Sequence, residues 1–269
     1  MITSLHNPQV KHVVSLHSRK GREAAREFIV EGRRFLEEAI GRGASISRVF
    51  YCPQRRLPDW QPLLGALEVK GVPVEEIDEK ILRKMCDTVQ PQGILGLVRY
   101  PRYTWEDIHT GPNDVLLIAD GVQDPGNLGT ILRVALASGV NQVCLTKGTV
   151  DLFNSKVLRS TMGAIFSMVA LVEQDQRAIV EFCQQYSLRL VIADLAGQSP
   201  YGSGILEPPL ALVVGNEGGG ASSVLKRAAL QAVTLPMHNG VESLNVAMAA
   251  GILLYEIGRL RDLKDGDFL

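Results

Sequence analysis

Three stretches of this 269-residue chain gather glycines and polar side chains where a strand gives way to a turn or a helix. In the first, Asp120-Gly121-Val122-Gln123-Asp124-Pro125-Gly126-Asn127-Leu128-Gly129 runs on through Thr130 to Arg133. Arginine can grip phosphate with its planar fork and stabilise a developing oxyanion. Spacing alone leaves this open. Arg133 lies about 100° from the apolar face of Leu128, Ile131, Leu132 and Ala135, so it also reads as a plain surface arginine, and Asn127 as a helix cap. In the second stretch, Leu212-Val213-Val214-Gly215-Asn216-Glu217-Gly218-Gly219-Gly220, an apolar strand meets four glycines and one carboxylate. Such a turn lets a backbone approach a ligand with its N–H groups free, but a tight turn without a ligand would look the same. Neither a P-loop nor a Gly-x-Gly-x-x-Gly fingerprint is present, which argues against a kinase-like or dinucleotide-binding enzyme. The third stretch, residues 235–252, has Leu235, Pro236 and Met237 at a strand end. Asn239, Glu242, Ser243, Leu244 and Asn245 follow, and then a helix rich in Ala and Gly. Ser243 is a good N-cap, and the apolar character of that helix on nearly all sides predicts that it is buried. A core helix explains the helix, but not the crowd of polar groups at its entrance.

The elements that must hold these stretches follow from periodicity. Residues 28–31, 46–52, 72–77 and 93–100 read as strands, with helices over 33–40, 60–70 and 79–86; Asp78 is the N-cap of the last. Residues 101–112 carry turn formers and read as a linker. Beyond them, residues 115–119, 142–146, 168–172, 189–194, 210–214 and 232–235 read as strands with helical segments between most of them. Several are continuous apolar runs, as in strands covered on both faces. The expectation is an α/β protein: a small α/β domain over residues 1–105, a linker to about 113, then a domain over 114–269. The latter has a mainly parallel sheet with helices on both faces, and its ligands are expected beyond the carboxyl ends of the strands.

The net charge of −1 conceals an asymmetry: residues 1–105 hold 17 Lys/Arg against 12 Asp/Glu, whereas the remainder is net acidic. Lys11, Arg19, Lys20 and Arg22 lie in the densest basic stretch, which can attract an RNA backbone without reading its sequence. Glutamates interleave with them, so a solvated helical face is the competing account. The scattered cysteines (Cys52, Cys86, Cys144 and Cys183) and five histidines show no metal-ligand spacing, so reduced, buried thiols and no metal are expected. No apolar run is long enough to span a bilayer and no signal peptide is evident, so a cytoplasmic protein is expected.

In this order and context the three stretches resemble the three motifs of the SpoU/TrmH family of RNA ribose 2′-O-methyltransferases, in the SPOUT superfamily. The resemblance runs from Asp114 to about Arg261. It takes in Val150-Asp151-Leu152-Phe153-Asn154-Ser155-Lys156-Val157-Leu158-Arg159-Ser160-Thr161-Met162-Gly163-Ala164, where many members have Pro at the position of Ser155. Thr3-Ser4, Asn7-Pro8, Val10-Lys11 and Phe28-Ile29-Val30-Glu31-Gly32 resemble the family's L30e-like substrate-binding domain. The resemblance implies a deep trefoil knot, S-adenosylmethionine as cofactor and a homodimer. It also implies structured RNA as substrate, with large-subunit (23S) rRNA favoured. By residue-by-residue carry-over, Arg133, Asn127, Glu217, Ser243 and Asn245 would serve catalysis. Gly215, Leu235 and Leu244, with Gly218, Met237 and Ser243 nearby, would line the cofactor pocket. The alternatives are a tRNA 2′-O-methyltransferase and a non-catalytic RNA-binding protein that retains the pocket.

Overall fold

Alternating strands and helices build two sheets in the computed structural model, which describes residues 1–55 and 60–265. The last four positions of the expected second domain lie outside these residues. The chain divides into two units, Met1–Arg102 with Phe153–Phe166, and Tyr103–Leu152 with the chain from Ser167 onward.

The first unit runs α1 (Pro8–Ser15), α2 (Arg19–Ala25), β1 (Glu27–Glu31), α3 (Arg33–Gly41), β2 (Ile46–Tyr51), α4 (Gln61–Val69), β3 (Val74–Glu76), α5 (Glu79–Met85) and β4 (Ile94–Arg99). Its sheet order is β1-β4-β2-β3, antiparallel except for the β2–β3 pair. Side-chain caps start α1, α2 and α5: Asn7 accepts from Gln9 N, Ser18 from Gly21 N, and Asp78 from Ile81 N, as expected for Asp78. Val10, Val13 and Leu16 from the first helix pack with Phe50, Ile81, Leu82 and Leu95 in one core. The later segment Phe153–Phe166, which contains the helix Ser155–Thr161 (α7), belongs to this unit. Phe153 and Phe166 pack on the buried Phe28, with ring centroids 4.8 and 6.4 Å away. Ser155 donates to Asp87 at 2.8 Å.

The second unit is built on β5 (Val115–Asp120), α6 (Pro125–Ala137), β6 (Gln142–Thr146), β7 (Val169–Gln174), α8 (Gln176–Gln185), β8 (Arg189–Gln198), β9 (Leu210–Gly215), α9 (Ser223–Ala228), β10 (Gln231–Val233) and α10 (Val246–Asp265). Its six strands run in the order β10-β8-β9-β5-β6-β7, and every pair is parallel. Every residue of β5 and β9 is buried, as their apolar runs require. These two strands lie at the centre, with Asp120 opposite Gly215 at their carboxyl ends. Strands after β5 are laid down first on one side of it and then on the other, so this pair of ends is a topological switch point where ligands gather.

Three expectations are corrected. Residues 103–112 are not a free linker: Trp105 stacks on Phe182 at 4.6 Å, and Ile108 is buried in the core of the second unit. The final helix starts at Val246, and its cap is Asn245 rather than Ser243, because the Asn245 Oδ1 accepts from Ala247 N at 2.9 Å. That helix is also not buried all round. Ala250, Leu253, Leu254 and Ile257 face the core, while Met248, Ile252 and Tyr255 stay exposed.

Candidate active site

The three polar stretches meet at the carboxyl ends of β5 and β9. The first leaves β5 at Asp120, whose buried carboxylate is fully engaged. One oxygen accepts from Thr146 Oγ1 at 2.9 Å and Gln176 Nε2 at 3.3 Å; the other accepts from Ser222 N at 2.6 Å. A buried carboxylate is costly unless paired this way. Here it ties the end of β5 to the chain just beyond the glycine-rich turn. Asn216 adds a second tie. Its Nδ2 donates to Gly121 O at 2.9 Å, and its Oδ1 accepts from Gly218 N and Gly219 N at 2.9 and 3.0 Å, which shapes the turn.

Gly215 is needed for close approach. A Cβ there would lie 2.2 Å from the backbone of Gly220 and Ala221, so the turn closes only over a glycine. At Gly218 and Gly219 a Cβ would meet only Asn216 Oδ1 at 3.7 Å. Space is open beside the turn, and a cleft of about 570 Å³ occupies it. Gly215, Gly218, Leu235, Met237, Ser243 and Leu244 all line this cleft, together with Glu217 and Asn245. Its volume falls in the range of small-molecule sites, and its walls are largely backbone and apolar groups with a few polar ones.

Along the rim runs a directed chain of hydrogen bonds. The cap of α6 is Asp124, which accepts from Asn127 N at 2.8 Å, so the Asn127 side chain is not spent on capping. Its Oδ1 accepts from Asn245 Nδ2 at 3.0 Å, and its Nδ2 donates to Glu217 Oε1 at 2.9 Å. Glu217 also accepts from the backbone N–H groups of Gln123 and Asp124 at 3.3 and 3.2 Å. Partial burial pushes the Glu217 carboxyl up, but these hydrogen bonds outweigh it and hold the group below the usual carboxylate range. The result is a fixed anion at the edge of the cleft, held by three donors from the first stretch and linked through Asn127 to Asn245 of the third.

Arg133 stands apart. It is exposed on α6, does not line the cleft, and has no side-chain hydrogen bond or ion pair among the described residues. Ser243 is exposed on the cleft wall. In the first unit Lys11, Arg19 and Lys20 are exposed, Arg19 with an ion pair to Glu23. Arg22 departs from that set: it is only 6% exposed, and its Nη1 donates to the carbonyls of Leu16 and His17 at 2.8 and 3.0 Å. It braces the α1–α2 turn rather than facing solvent. All four cysteines are free and buried. Among the described residues no cluster of His, Cys, Asp or Glu suits a metal, and no helix is long and apolar enough to cross a membrane.

Asp120, Asn216, Asp194 and Lys226 belong to the site or its walls without having been singled out in sequence. A carboxylate ending an apolar strand, at Asp120, and an Asn before a run of glycines are readable signals. The Asp194–Lys226 ion pair joins the end of the predicted 189–194 strand to α9 and carries no such signal.

Residues 114–255 match the family described as SpoU rRNA Methylase, and residues 7–96 match the MRM3-like substrate binding domain. The chain is 33% identical to the 23S rRNA (guanosine(2553)-2′-O)-methyltransferase RlmP of Bacillus subtilis over 95% of this chain and 98% of that one. It is 30% identical to the human mitochondrial rRNA methyltransferase 3, covering 92% of this chain and 72% of that one. Among solved structures, an AdoMet-bound rRNA methyltransferase from Sinorhizobium meliloti superimposes with a TM-score of 0.84 at 31% identity, over 96% of this chain and 97% of that one.

Proposed function

Because the chain belongs to the SpoU rRNA methylase family, it is an S-adenosylmethionine-dependent RNA ribose 2′-O-methyltransferase, and we propose that its target is a nucleotide of 23S-type large-subunit rRNA. The observation that carries the site reading is the Asn245–Asn127–Glu217 junction on the rim of a cleft walled by Gly215, Gly218, Leu235, Met237, Ser243 and Leu244. The bacterial relative's name specifies a 23S rRNA guanosine, which favours rRNA over tRNA as the substrate here. The non-catalytic alternative has no comparable support, since every polar motif residue is present.

Bound S-adenosylmethionine supplies a methyl group on a positively charged sulfur, already a strong electrophile. The glycine-rich turn and the loop from Leu235 to Leu244, which line the cleft, would hold it, largely through backbone groups. The protein's work would then be to place a ribose 2′-oxygen in line with the methyl carbon; the carbon–sulfur bond would break as the carbon–oxygen bond forms, S-adenosylhomocysteine would leave, and the hydroxyl proton would pass to solvent water. Positioning of this kind can lower a barrier by about 7–11 kcal/mol. The arginine guanidinium is a planar, delocalised cation that suits phosphate better than it suits taking up a proton. Arg133 therefore acts as a cation, gripping the phosphate beside the target ribose and stabilising the oxygen as its proton departs. Asn127, Glu217, Ser243 and Asn245 orient the loops around that ribose.

Arg133 lies off its own chain's cleft, and a homodimer accounts for this. Met248, Ile252 and Tyr255 form an exposed apolar stripe on α10, the helix that packs on α6. Pairing two such surfaces removes the stripe from water and lets the partner subunit's Arg133 serve the cleft. The first unit, taken as L30e-like, presents Lys11, Arg19 and Lys20 to the RNA backbone, the second carries the trefoil knot, and the reaction takes place in the cytoplasm. Mapping 2′-O-methyl groups in total RNA with and without the gene is the test. Loss of one mark in large-subunit rRNA is expected; a mark lost only from tRNA, or none lost, overturns the substrate assignment.

A further inference from the structure

Three charged side chains line the cleft: Asp194, Glu217 and Lys226. Glu217 is already occupied by Asn127 and two backbone donors. The other two face each other across the cleft wall. Asp194 belongs to β8 and Lys226 to α9, and Lys226 Nζ lies 2.8 Å from Asp194 Oδ2. One further hydrogen bond holds the carboxylate, and the lysine sits beside the turn. Asp194 Oδ1 accepts from Ala196 N at 3.0 Å, and Lys226 Nζ lies over the glycine-rich turn, 3.4 Å from where a Cβ on Gly220 would stand. The Lys226 ammonium holds the Asp194 carboxyl below the usual carboxylate range. A pair this exposed adds little to stability, so its place on the cleft wall calls for another account.

S-adenosylmethionine ends in an α-amino carboxylate, which presents one negative and one positive group side by side. An adjacent ammonium and carboxylate on the protein form the complementary arrangement, each charge meeting its opposite through a charge-assisted hydrogen bond. We propose that Lys226 receives the carboxylate and Asp194 the ammonium of the cofactor's amino-acid end, making this ion pair the specificity element for that end. The inference rests on the S-adenosylmethionine reading of the cleft and adds to it which wall meets which part of the molecule.

Two ligands separate the parts. S-adenosylhomocysteine carries the amino-acid end, whereas 5′-deoxy-5′-methylthioadenosine keeps the adenosine and the thioether without it. Titration calorimetry on the full-length protein compares both ligands on wild type, Lys226→Met and Asp194→Asn. Each variant is expected to weaken S-adenosylhomocysteine about tenfold or more, the loss of one charge-assisted contact, and to leave methylthioadenosine within about twofold. Retained methylthioadenosine binding also shows that the variant's cleft is intact. Equal losses for the two ligands would place the pair against the adenosine or make it structural, and overturn the proposal. Unchanged S-adenosylhomocysteine binding in both variants would overturn it as well. A wild-type protein that binds neither ligand would instead remove the cofactor reading on which the proposal stands.

Discussion

Replacing Asp120 by Asn tests whether the buried end of β5 holds the cofactor turn in place. The carboxylate is 3% exposed and accepts on both oxygens, from Thr146 and Gln176 on one side and Ser222 N on the other. An amide has one acceptor oxygen, so its NH2 must face one of those donors whichever way it is turned. The variant loses a hydrogen bond to a charged group, worth about 1.5–3 kcal/mol, and leaves a donor unpaired at about 1–3 kcal/mol. With some relaxation of the side chains, a destabilisation of roughly 2–4 kcal/mol is expected, which for a unit of this size lowers Tm by roughly 5–15 °C. Ser222 lies two residues past Gly220, so the turn should loosen and S-adenosylmethionine affinity fall about tenfold at a temperature where the variant is still folded. Thr146→Val is the control: it removes one donor while Ser222 keeps its partner, and it should cost about 1 kcal/mol with cofactor affinity retained. Differential scanning fluorimetry and calorimetry read both quantities. An Asp120→Asn protein with wild-type Tm and wild-type affinity would refute the reasoning.

Arg133→Ala should leave Tm nearly unchanged, since exposed substitutions away from special features cost under about 0.5 kcal/mol. Single-turnover methyl transfer should fall at least about a hundredfold, as on removing a transition-state donor, and normal turnover would take Arg133 out of the chemistry. Gly218→Val should weaken cofactor binding with little change in Tm, whereas Gly215→Val should lower Tm because its Cβ meets the backbone of Gly220 and Ala221; the reverse order would mean the cleft lies elsewhere. Changing Lys11, Arg19 and Lys20 together to Ala should weaken RNA binding and flatten its dependence on salt by up to about 2 in log–log slope. Arg22→Ala should instead lower stability, and an unchanged salt slope in the triple variant would detach this surface from the RNA.

Short-range order was open to reading from the sequence. The apolar runs ending at Asp120 and Gly215 read as doubly covered strands, and Asp78 has the chemistry of a cap. The roles of single side chains were less accessible where chain geometry decides them. Arg22 looks like its neighbours in a basic stretch, but the α1–α2 turn brings two carbonyls to its guanidinium. Ser243 and Asn245 are both good caps two residues apart, and only the first turn of α10 chooses between them. The bond from Asn245 to Asn127 joins residues 118 positions apart, beyond any local pattern. Spacing did not single out Gly215, Leu235 and Leu244; family resemblance did, and all three line the cleft. It named no packing partner for Phe153 and Phe166, whose rings pack on Phe28 in the other unit from the strands that flank them in sequence.

That last arrangement bears on how the molecule unfolds. The chain between β6 and β7 leaves the parallel sheet, contributes Phe153–Phe166 to the first unit and returns. Neither unit is therefore a continuous stretch that can melt alone. Releasing the first frees the middle of the β6–β7 connection, and fraying β6 or β7 loosens the chain on either side of the two phenylalanines that pack on Phe28. Heat or denaturant should meet a single cooperative transition. A cut near residue 102 would yield one piece with an uncovered aromatic face and another with an unanchored strap, and exchanging the first unit with that of a relative would require three junctions rather than one.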